Sequence, residues 1–198
     1  MNSRFPQAAL SCMVLVLVTL TPTAQQPTTA AEHPPTSLIT WRFLNGSFWF
    51  VPEANLKAIL TTPNTPPLPI NDQTVFHIEK YVDGYFWGVT AVQLTSVAAS
   101  TPICFQLVGS VTPEGQVNLS FTPTGSKGTR TQGFGSMRFR EGSWKMENQM
   151  STGVTGEVTH WAYMTQCNEQ DARCMVDPLP GSSMTLMEFV HSCGDTGN

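Results

Sequence analysis

A histidine, a glutamate and a tyrosine alternate along one short stretch of the chain, at His77, Glu79 and Tyr81. Residues two apart in a β-strand project from the same face, so these three side chains are expected to lie together. A histidine beside a carboxylate can act as a general acid or base, or supply half of a metal site. A solvated strand face is the simpler interpretation of the same residues, and it assigns them no chemistry.

A second histidine, His160, shares its expected strand face with Val158, Ala162 and Met164. These apolar neighbours favour a buried core histidine over a ligand or a catalytic base. If His77 and His160 both faced the inside of the fold, they would be the best catalytic candidates. We therefore assign no catalytic residue, and a small enzyme that uses either histidine is kept as an alternative.

Aromatic residues recur at strand positions, where they can pack a core or line a cavity for an apolar molecule. Tyr85 and Trp87 share one strand face, and Trp161 and Tyr163 share another. Core packing alone explains the need for most of these rings, since truncating a buried aromatic residue costs about 3–5 kcal/mol. The predicted ligand-binding residues are Tyr85, Trp87, Trp144, Trp161, Tyr163 and His77.

Four cysteines lie beyond the N-terminal apolar segment, and an even number in an exported chain predicts two disulfides. They are Cys104, Cys167, Cys174 and Cys193. Of the three possible connectivities, a local Cys167–Cys174 bridge around the polar residues 168–173 is the simplest. Cys104 and Cys193 would then form the second bridge. No C-x-x-C pair occurs and no histidine lies at ligand spacing from the cysteines, so no metal site is expected.

The chain carries few charges and no motif for a cofactor. Charged residues make up 12% of the sequence, and the formal net charge is −4. Lysine and arginine form no run, so nucleic acid is not an expected partner. The sequence contains no G-x-S-x-G nucleophile turn and no phosphate-binding glycine loop between a strand and a helix. We therefore expect no cofactor, and motifs give an enzymatic function no support.

The N-terminus has the parts of a secretory signal peptide. Arg4 supplies a positive charge, an uncharged apolar stretch covers 8–20, and small residues offer cleavage points between 24 and 31. The apolar stretch is shorter than the roughly 20 residues of a membrane span, so we expect no span in the mature chain. The protein is predicted to be secreted or periplasmic. Its predicted parts are a signal peptide at 1–24, a disordered Pro/Thr leader at 25–37, a single β domain at 38–193 and a flexible tail at 194–198.

Turn signals divide the β domain into alternating strands. An acidic residue followed by glycine indicates a hairpin when it separates two alternating runs, because both positions must accept a positive φ. The three signals are Asp83-Gly84, Glu114-Gly115 and Glu141-Gly142. The cleanest strand runs from Gln116 to Thr122 and directs Val117, Leu119 and Phe121 to one face.

The segments around this meander are less regular. The residues from Pro52 to Leu60 predict a short helix, and the four prolines between Thr61 and Asn71 predict an irregular loop. Met184 to Val190 is expected to be the closing strand. The prediction is an all-β protein: an up-and-down antiparallel meander of about eight strands closed into a small barrel, since closure removes exposed strand edges. A β-sandwich is the alternative.

This arrangement resembles the calycin type of small barrel, meaning the lipocalin and avidin folds. The resemblance rests on the meander and on a glycine followed shortly by Trp49 in the first strands. It covers the architecture and no ligand motif. It implies a barrel whose lumen is lined by aromatic side chains and a few polar groups.

We therefore predict a secreted or periplasmic, non-catalytic β-barrel that binds a small apolar or amphipathic molecule. This hypothesis predicts an enclosed, aromatic-lined cavity open at one end, and a barrel filled by its own side chains would contradict it. The first alternative is a structural or protein-interaction module of the cell envelope or extracellular space, for which no specific protein partner is assigned. That alternative predicts a filled barrel with an exposed apolar patch, around Thr61 to Ile70 or Gly125 to Gly133.

Overall fold

The computed structural model describes residues 41–95, 101–125, 130–152, 156–167 and 172–194. The predicted signal peptide and leader, and the last four residues of the predicted tail, lie outside this described part of the chain. All the described residues belong to one compact unit.

Within the described residues, nine β-strands and two short α-helices make up most of the regular structure. The strands are β1 Ser47–Phe50, β2 Lys57–Thr61, β3 Leu68–Val82, β4 Tyr85–Leu94, β5 Ile103–Val111, β6 Gln116–Pro123, β7 Thr131–Arg140, β8 Ser143–Thr152 and β9 Glu157–Cys167. The helices are α1 Ala172–Val176 and α2 Leu186–His191, and two 3-10 helices cover Trp41–Leu44 and Glu53–Asn55.

The strands form one closed antiparallel barrel. From β3 to β9, each strand pairs with the next one along the chain. Both β1 and β2 lie between β3 and β9 and pair with the two of them, so they share one strand position that residues 51–56 interrupt. The barrel therefore has eight strand positions. This confirms the prediction of an all-β, up-and-down barrel of about eight strands.

The predicted hairpin turns are present. Asp83 and Gly84 have φ values of 45° and 88°, and Glu141 and Gly142 have values of 52° and 73°. Positive φ at both positions is what a two-residue turn of matching twist requires. The third connection is longer, and there the positive φ of 84° belongs to Gly115.

The predicted helix over residues 52–60 is shorter than expected. One turn of 3-10 helix covers Glu53–Asn55, and the chain continues as β2 from Lys57. In β2 the side chain of Ala58 is buried while that of Ile59 is exposed. The period of two, set by pairing with β3 and β9, therefore outweighs the helical spacing of the apolar residues in this segment.

The segment predicted as the closing strand is a helix, α2. A capping box begins it, because the Thr185 hydroxyl accepts the Glu188 backbone N–H and the Glu188 carboxylate accepts the Thr185 backbone N–H. The T-x-x-E spacing is visible in the sequence and is a helix-start signal. This helix-start signal outweighs the short alternation of apolar residues that favoured a strand in the same segment.

The described inner side chains fill the barrel. Five enclosed aromatic residues are each at most 1% exposed and pack with methionine and aliphatic side chains in one continuous cluster. They are Trp49, Phe76, Phe86, Phe105 and Phe121. Trp41 closes one end, where its indole N–H donates to the Thr112 carbonyl over 2.9 Å and its ring packs edge-on against Trp144. These five enclosed rings therefore form a core and do not line an open lumen.

A second apolar cluster lies on the outside of the barrel, beneath α2. Leu186 and Phe189 of the helix pack with Phe48 of β1, Val75 of β3 and Ala91 of β4. This layer explains why the outward positions of those three strands are apolar at this point. The C-terminal segment thus covers one part of the wall and leaves other parts to solvent.

Two disulfides hold the C-terminal segment to the barrel. Cys104–Cys193 joins β5 to the residues that follow α2, and Cys167–Cys174 joins the end of β9 to α1. Both predicted pairings are confirmed. No helix in the described part of the chain is long and apolar enough to cross a membrane.

Candidate binding groove on the outer face

A shallow groove of about 380 Å³ lies on the outside of the barrel, along β5 and β6. Its volume falls within the range of about 300–1,000 Å³ that is typical of small-molecule sites. We call it the outer groove. Two rows of side chains, paired across neighbouring strands, line it: Tyr85, Ser110, Asn118 and Phe134 form one row, and Val108, Ser120 and Gln132 form the other. Since β5 and β6 lie between β4 and β7, Tyr85 and Phe134 stand on opposite sides of the groove.

The sides of the outer groove are apolar and open to solvent. Tyr85 is 64% exposed, Phe134 is 60% exposed and Val108 is 47% exposed. Tyr85, Trp87 and Val108 are neighbours on β4 and β5 and form one exposed apolar patch, the kind of surface that marks an interaction site. Phe134 stands apart from this patch, across Ser110 and Asn118. The bottom of the outer groove differs, because Ser110, Asn118 and Ser120 offer hydroxyl and amide groups.

The residues that line the outer groove carry no charge. The sequences of β4, β5 and β6 contain no aspartate, glutamate, lysine, arginine or histidine. Charges lie just outside these strands: Arg130 precedes β7 and donates to the Thr122 hydroxyl of β6 over 3.3 Å, and Arg138 follows the part of β7 that lines the groove. The lining side chains can therefore bind through apolar contact and neutral hydrogen bonds, while an ion would find no countercharge among them.

The structure distributes the predicted ligand-binding residues over several places. Tyr85 lies in the outer groove, and Trp87 lies beside it, opposite Val108 on β5. Trp161 and Tyr163 form an edge-to-face pair on the outside of β9, with their ring centres 4.7 Å apart. The six residues therefore do not meet in one cavity.

The remaining two predicted residues have packing roles. Trp144 points into the barrel end, where it contacts Trp41 and Phe43. His77 lies on the outside and stacks on Phe48, with ring centres 4.2 Å apart and an interplanar angle of 10°. Burial lowers the pKa of His77 most, nearby Glu79 raises it and His191 lowers it, so the net pKa lies below the ordinary value.

The expected common face of His77, Glu79 and Tyr81 is wrong. A β-bulge shifts the register between Ile78 and Lys80, so the alternation of β3 changes side there. Tyr81 consequently packs against the inner cluster, whereas His77 remains outside. Because of this one-residue shift, the tyrosine and the histidine do not share a site.

His160 does face inward, together with Val158, Ala162 and Met164, as predicted. Its Nδ1 lies 3.0 Å from Asp72 Oδ2, and its Nε2 lies 2.7 Å from the Asn55 carbonyl oxygen. The pair joins β9 to β3 across the interrupted strand, next to the 3-10 helix between β1 and β2. Sequence reasoning missed Asp72, because the prolines that precede it predicted a loop up to residue 71 and hid the early start of β3.

Both nitrogens of His160 face acceptors, which favours a doubly protonated imidazolium. A carbonyl oxygen can only accept, so Nε2 must donate, and a carboxylate beside Nδ1 accepts the second proton. Burial alone lowers the pKa of His160, but the hydrogen bond and charge of Asp72, with the Asn55 carbonyl, outweigh burial and raise the pKa above its ordinary value. With both side chains 1% exposed, this pair has the geometry of an acid–base dyad but offers a substrate no access.

The charges nearest to Tyr163 pair among themselves. Arg140 Nε lies 2.8 Å from Glu147 Oε1, and the Arg140 guanidinium lies 5.6 Å from the centre of the Tyr163 ring. Among the described residues, no group of three or more histidine, cysteine, aspartate or glutamate side chains forms a metal site. A second surface pocket, of about 400 Å³, is lined by Arg42, Asn45, Tyr81, Val82 and Asp83 and lacks the two exposed rings that flank the outer groove.

Comparison with known proteins assigns no family. The chain matched no protein-family model, no curated protein and no solved structure.

Proposed function

We propose that this protein is an exported, non-catalytic binding module, and that it binds a small, uncharged amphipathic molecule in the outer groove. One observation carries the proposal: two exposed aromatic rings stand on either side of hydroxyl and amide groups, in a groove whose lining has no acidic, basic or histidine side chain. The rings can cover hydrocarbon, while the groups between them can exchange hydrogen bonds. Together these groups complement a molecule with an apolar face and neutral polar substituents.

The two disulfides support the assignment to an extracellular or periplasmic space. Disulfides form and persist in oxidising compartments and are rare where thiols are kept reduced. A closed barrel held by two such bridges is a stable support on which to display a binding surface.

The packed interior of the barrel favours binding on its outer surface. The enclosed aromatic residues pack in one cluster, and both ring nitrogens of the buried His160 are already bonded, to Asp72 Oδ2 and to the Asn55 carbonyl. A ligand inside would have to displace packed side chains, whereas the outer groove is open. The packed inner cluster is what the structural or protein-interaction alternative predicted, and the cavity predicted for a ligand in the lumen is not found among the described inner side chains. A ligand on the outer wall is therefore a new proposal, which retains only the chemical class of the predicted ligand.

The Phe134→Ala variant tests this proposal with Nile red, an uncharged amphipathic dye whose fluorescence rises on binding. We expect the variant to bind the dye at least about tenfold more weakly than the wild type, since burying a phenylalanine side chain contributes about 1.5–3 kcal/mol and 1.4 kcal/mol is tenfold. Trp161→Ala is the matched control, because Trp161 is similarly exposed but lies outside the outer groove. That control should bind as the wild type does.

Two results would contradict the proposal. Dye binding that is equal in all three proteins would place the site elsewhere. A concentration-dependent dimer that Phe134→Ala converts to a monomer would mean that a second copy of the chain fills the outer groove. Sedimentation of each protein at the concentration of the dye titration distinguishes these results.

A further inference from the structure

We propose that the ligand of the outer groove is a neutral oligosaccharide. This inference rests on the proposed function and adds the chemical class of the ligand. Four features of the outer groove lead to it: the spacing of its polar groups, its aromatic sides, the absence of charge, and the closure of the barrel.

The polar groups are spaced as the hydroxyls of a sugar require. Ser110 pairs with Asn118 across β5 and β6, and Ser120 pairs with Gln132 across β6 and β7. Neighbouring strands lie about 5 Å apart and every second residue about 7 Å apart, so these four side chains form a small array on that scale. Each hydroxyl or amide can both donate and accept, which is what a set of adjacent sugar hydroxyls needs.

The aromatic sides suit the other surface of a sugar ring. A pyranose ring exposes C–H groups on its faces, and its hydroxyls lie mainly around its edge. The face of an aromatic ring carries partial negative charge and attracts such C–H groups, in addition to the contact area it buries. Tyr85 and Phe134 supply two rings that solvent already reaches, so no rearrangement of the wall is needed.

The absence of charge in the groove lining, the closure of the barrel and the polar groups of the groove disfavour acidic sugars, peptides and alkyl chains as ligands. An acidic sugar would lose hydration without meeting a cation among the lining side chains, since the Arg130 guanidinium bonds Thr122 outside that lining. A peptide that binds by strand addition needs a free sheet edge, and every described strand of this barrel is paired on both sides. An alkyl chain would cover the hydroxyl and amide groups of the groove and deprive them of water without replacing their hydrogen bonds.

Calorimetric titration with defined hexasaccharides tests the inference on the oxidised protein. The neutral probes are maltohexaose, cellohexaose and chitohexaose, and hexagalacturonate is their charged counterpart. We expect the wild type to bind at least one neutral probe and to bind hexagalacturonate at least tenfold more weakly. Asn118→Ala should weaken the neutral probe about three- to tenfold through the lost hydrogen bonds, and Tyr85→Ala about tenfold.

Trp161→Ala again serves as the control and should leave the affinity within twofold of the wild type. Thermal melts of each variant establish that lost binding is not lost folding, and both substituted side chains are exposed. If no neutral hexasaccharide binds while Nile red still depends on Phe134, the sugar class is wrong and the proposed function stands. If hexagalacturonate binds as tightly as the neutral probes, the inference is also wrong. If neither Nile red nor any sugar depends on the outer groove, both proposals fail.

Discussion

Replacing Asp72 by alanine is expected to lower the free energy of unfolding by about 3–5 kcal/mol, the usual cost of removing one partner of a buried ion pair. Both side chains of the pair are 1% exposed, so the remaining imidazolium would have no water to replace the carboxylate. Thr74 would also lose the acceptor of its hydroxyl, which lies 3.1 Å from Asp72 Oδ2. Urea unfolding followed by tryptophan fluorescence measures the change.

Removing the charge of Asp72 should also reverse the sign with which the His160 contribution to stability depends on pH. In the wild type the pKa of His160 is raised above 6.5, so its contribution to stability is complete below pH 6.5 and is lost as pH rises through the folded pKa. In Asp72→Asn we expect the pKa of His160 to be lowered instead, because burial is the largest cause acting on it and the charge of Asp72 that opposes burial is gone. The contribution of His160 should then increase with pH up to about 6.5.

The difference between the two pH profiles reports the His160–Asp72 pair. His77 has a lowered pKa in both proteins, so its contribution cancels in the subtraction. Asp177→Asn, at an exposed position, is the control and should change stability by no more than about 0.5 kcal/mol. Parallel profiles for the wild type and Asp72→Asn would show that the buried pair is not charged in the native protein.

The second large effect is expected from the disulfide that closes the long loop. Cys104 and Cys193 are 89 residues apart, whereas Cys167 and Cys174 are 7 apart. In the chain-entropy model, removing the first bridge costs about 4.6 kcal/mol and removing the second about 2.4 kcal/mol, because a longer closed loop restricts the unfolded chain more. The double variants Cys104→Ser/Cys193→Ser and Cys167→Ser/Cys174→Ser are matched in chemistry and differ in loop length.

Denaturant unfolding of these two variants and the wild type under non-reducing conditions gives the comparison. The long-loop variant should unfold at the lower urea concentration. Equal losses, or a larger loss from the short bridge, would contradict a dominant role of the unfolded chain. Stabilisation would then come from native contacts of α1 with β9, which the short bridge holds in place.

Much of the barrel could be predicted from local sequence rules. The positive φ values at Asp83-Gly84 and Glu141-Gly142 are a property that few residue pairs tolerate, so the turns are marked in the sequence. In β6 polar and apolar residues alternate strictly, and the apolar ones, Val117, Leu119 and Phe121, are the ones that are buried. Of the three possible cysteine pairings, the structure has the one that the short polar loop between Cys167 and Cys174 favoured.

For other strands, the local sequence does not show which side chains face the barrel interior. In Tyr85-Phe86-Trp87 all three residues are aromatic, and it is the middle one that the barrel encloses. The bulge after Ile78 depends on pairing with β4, which no local pattern reports. The candidate site was missed for this reason: its residues come from four strands and share a location only when the register between those strands is known.

An NMR titration of ¹⁵N-labelled protein with octyl glucoside, kept below its micelle concentration, tests the central claim most directly. This uncharged molecule carries both an apolar chain and a sugar, so it probes the site without presuming which part binds. We expect the largest amide shifts at Ser110, Asn118 and Phe134, with little change inside the barrel. Shifts centred on inward positions such as Thr90 and His160, with the outer groove unchanged, would contradict a filled barrel that binds through its wall.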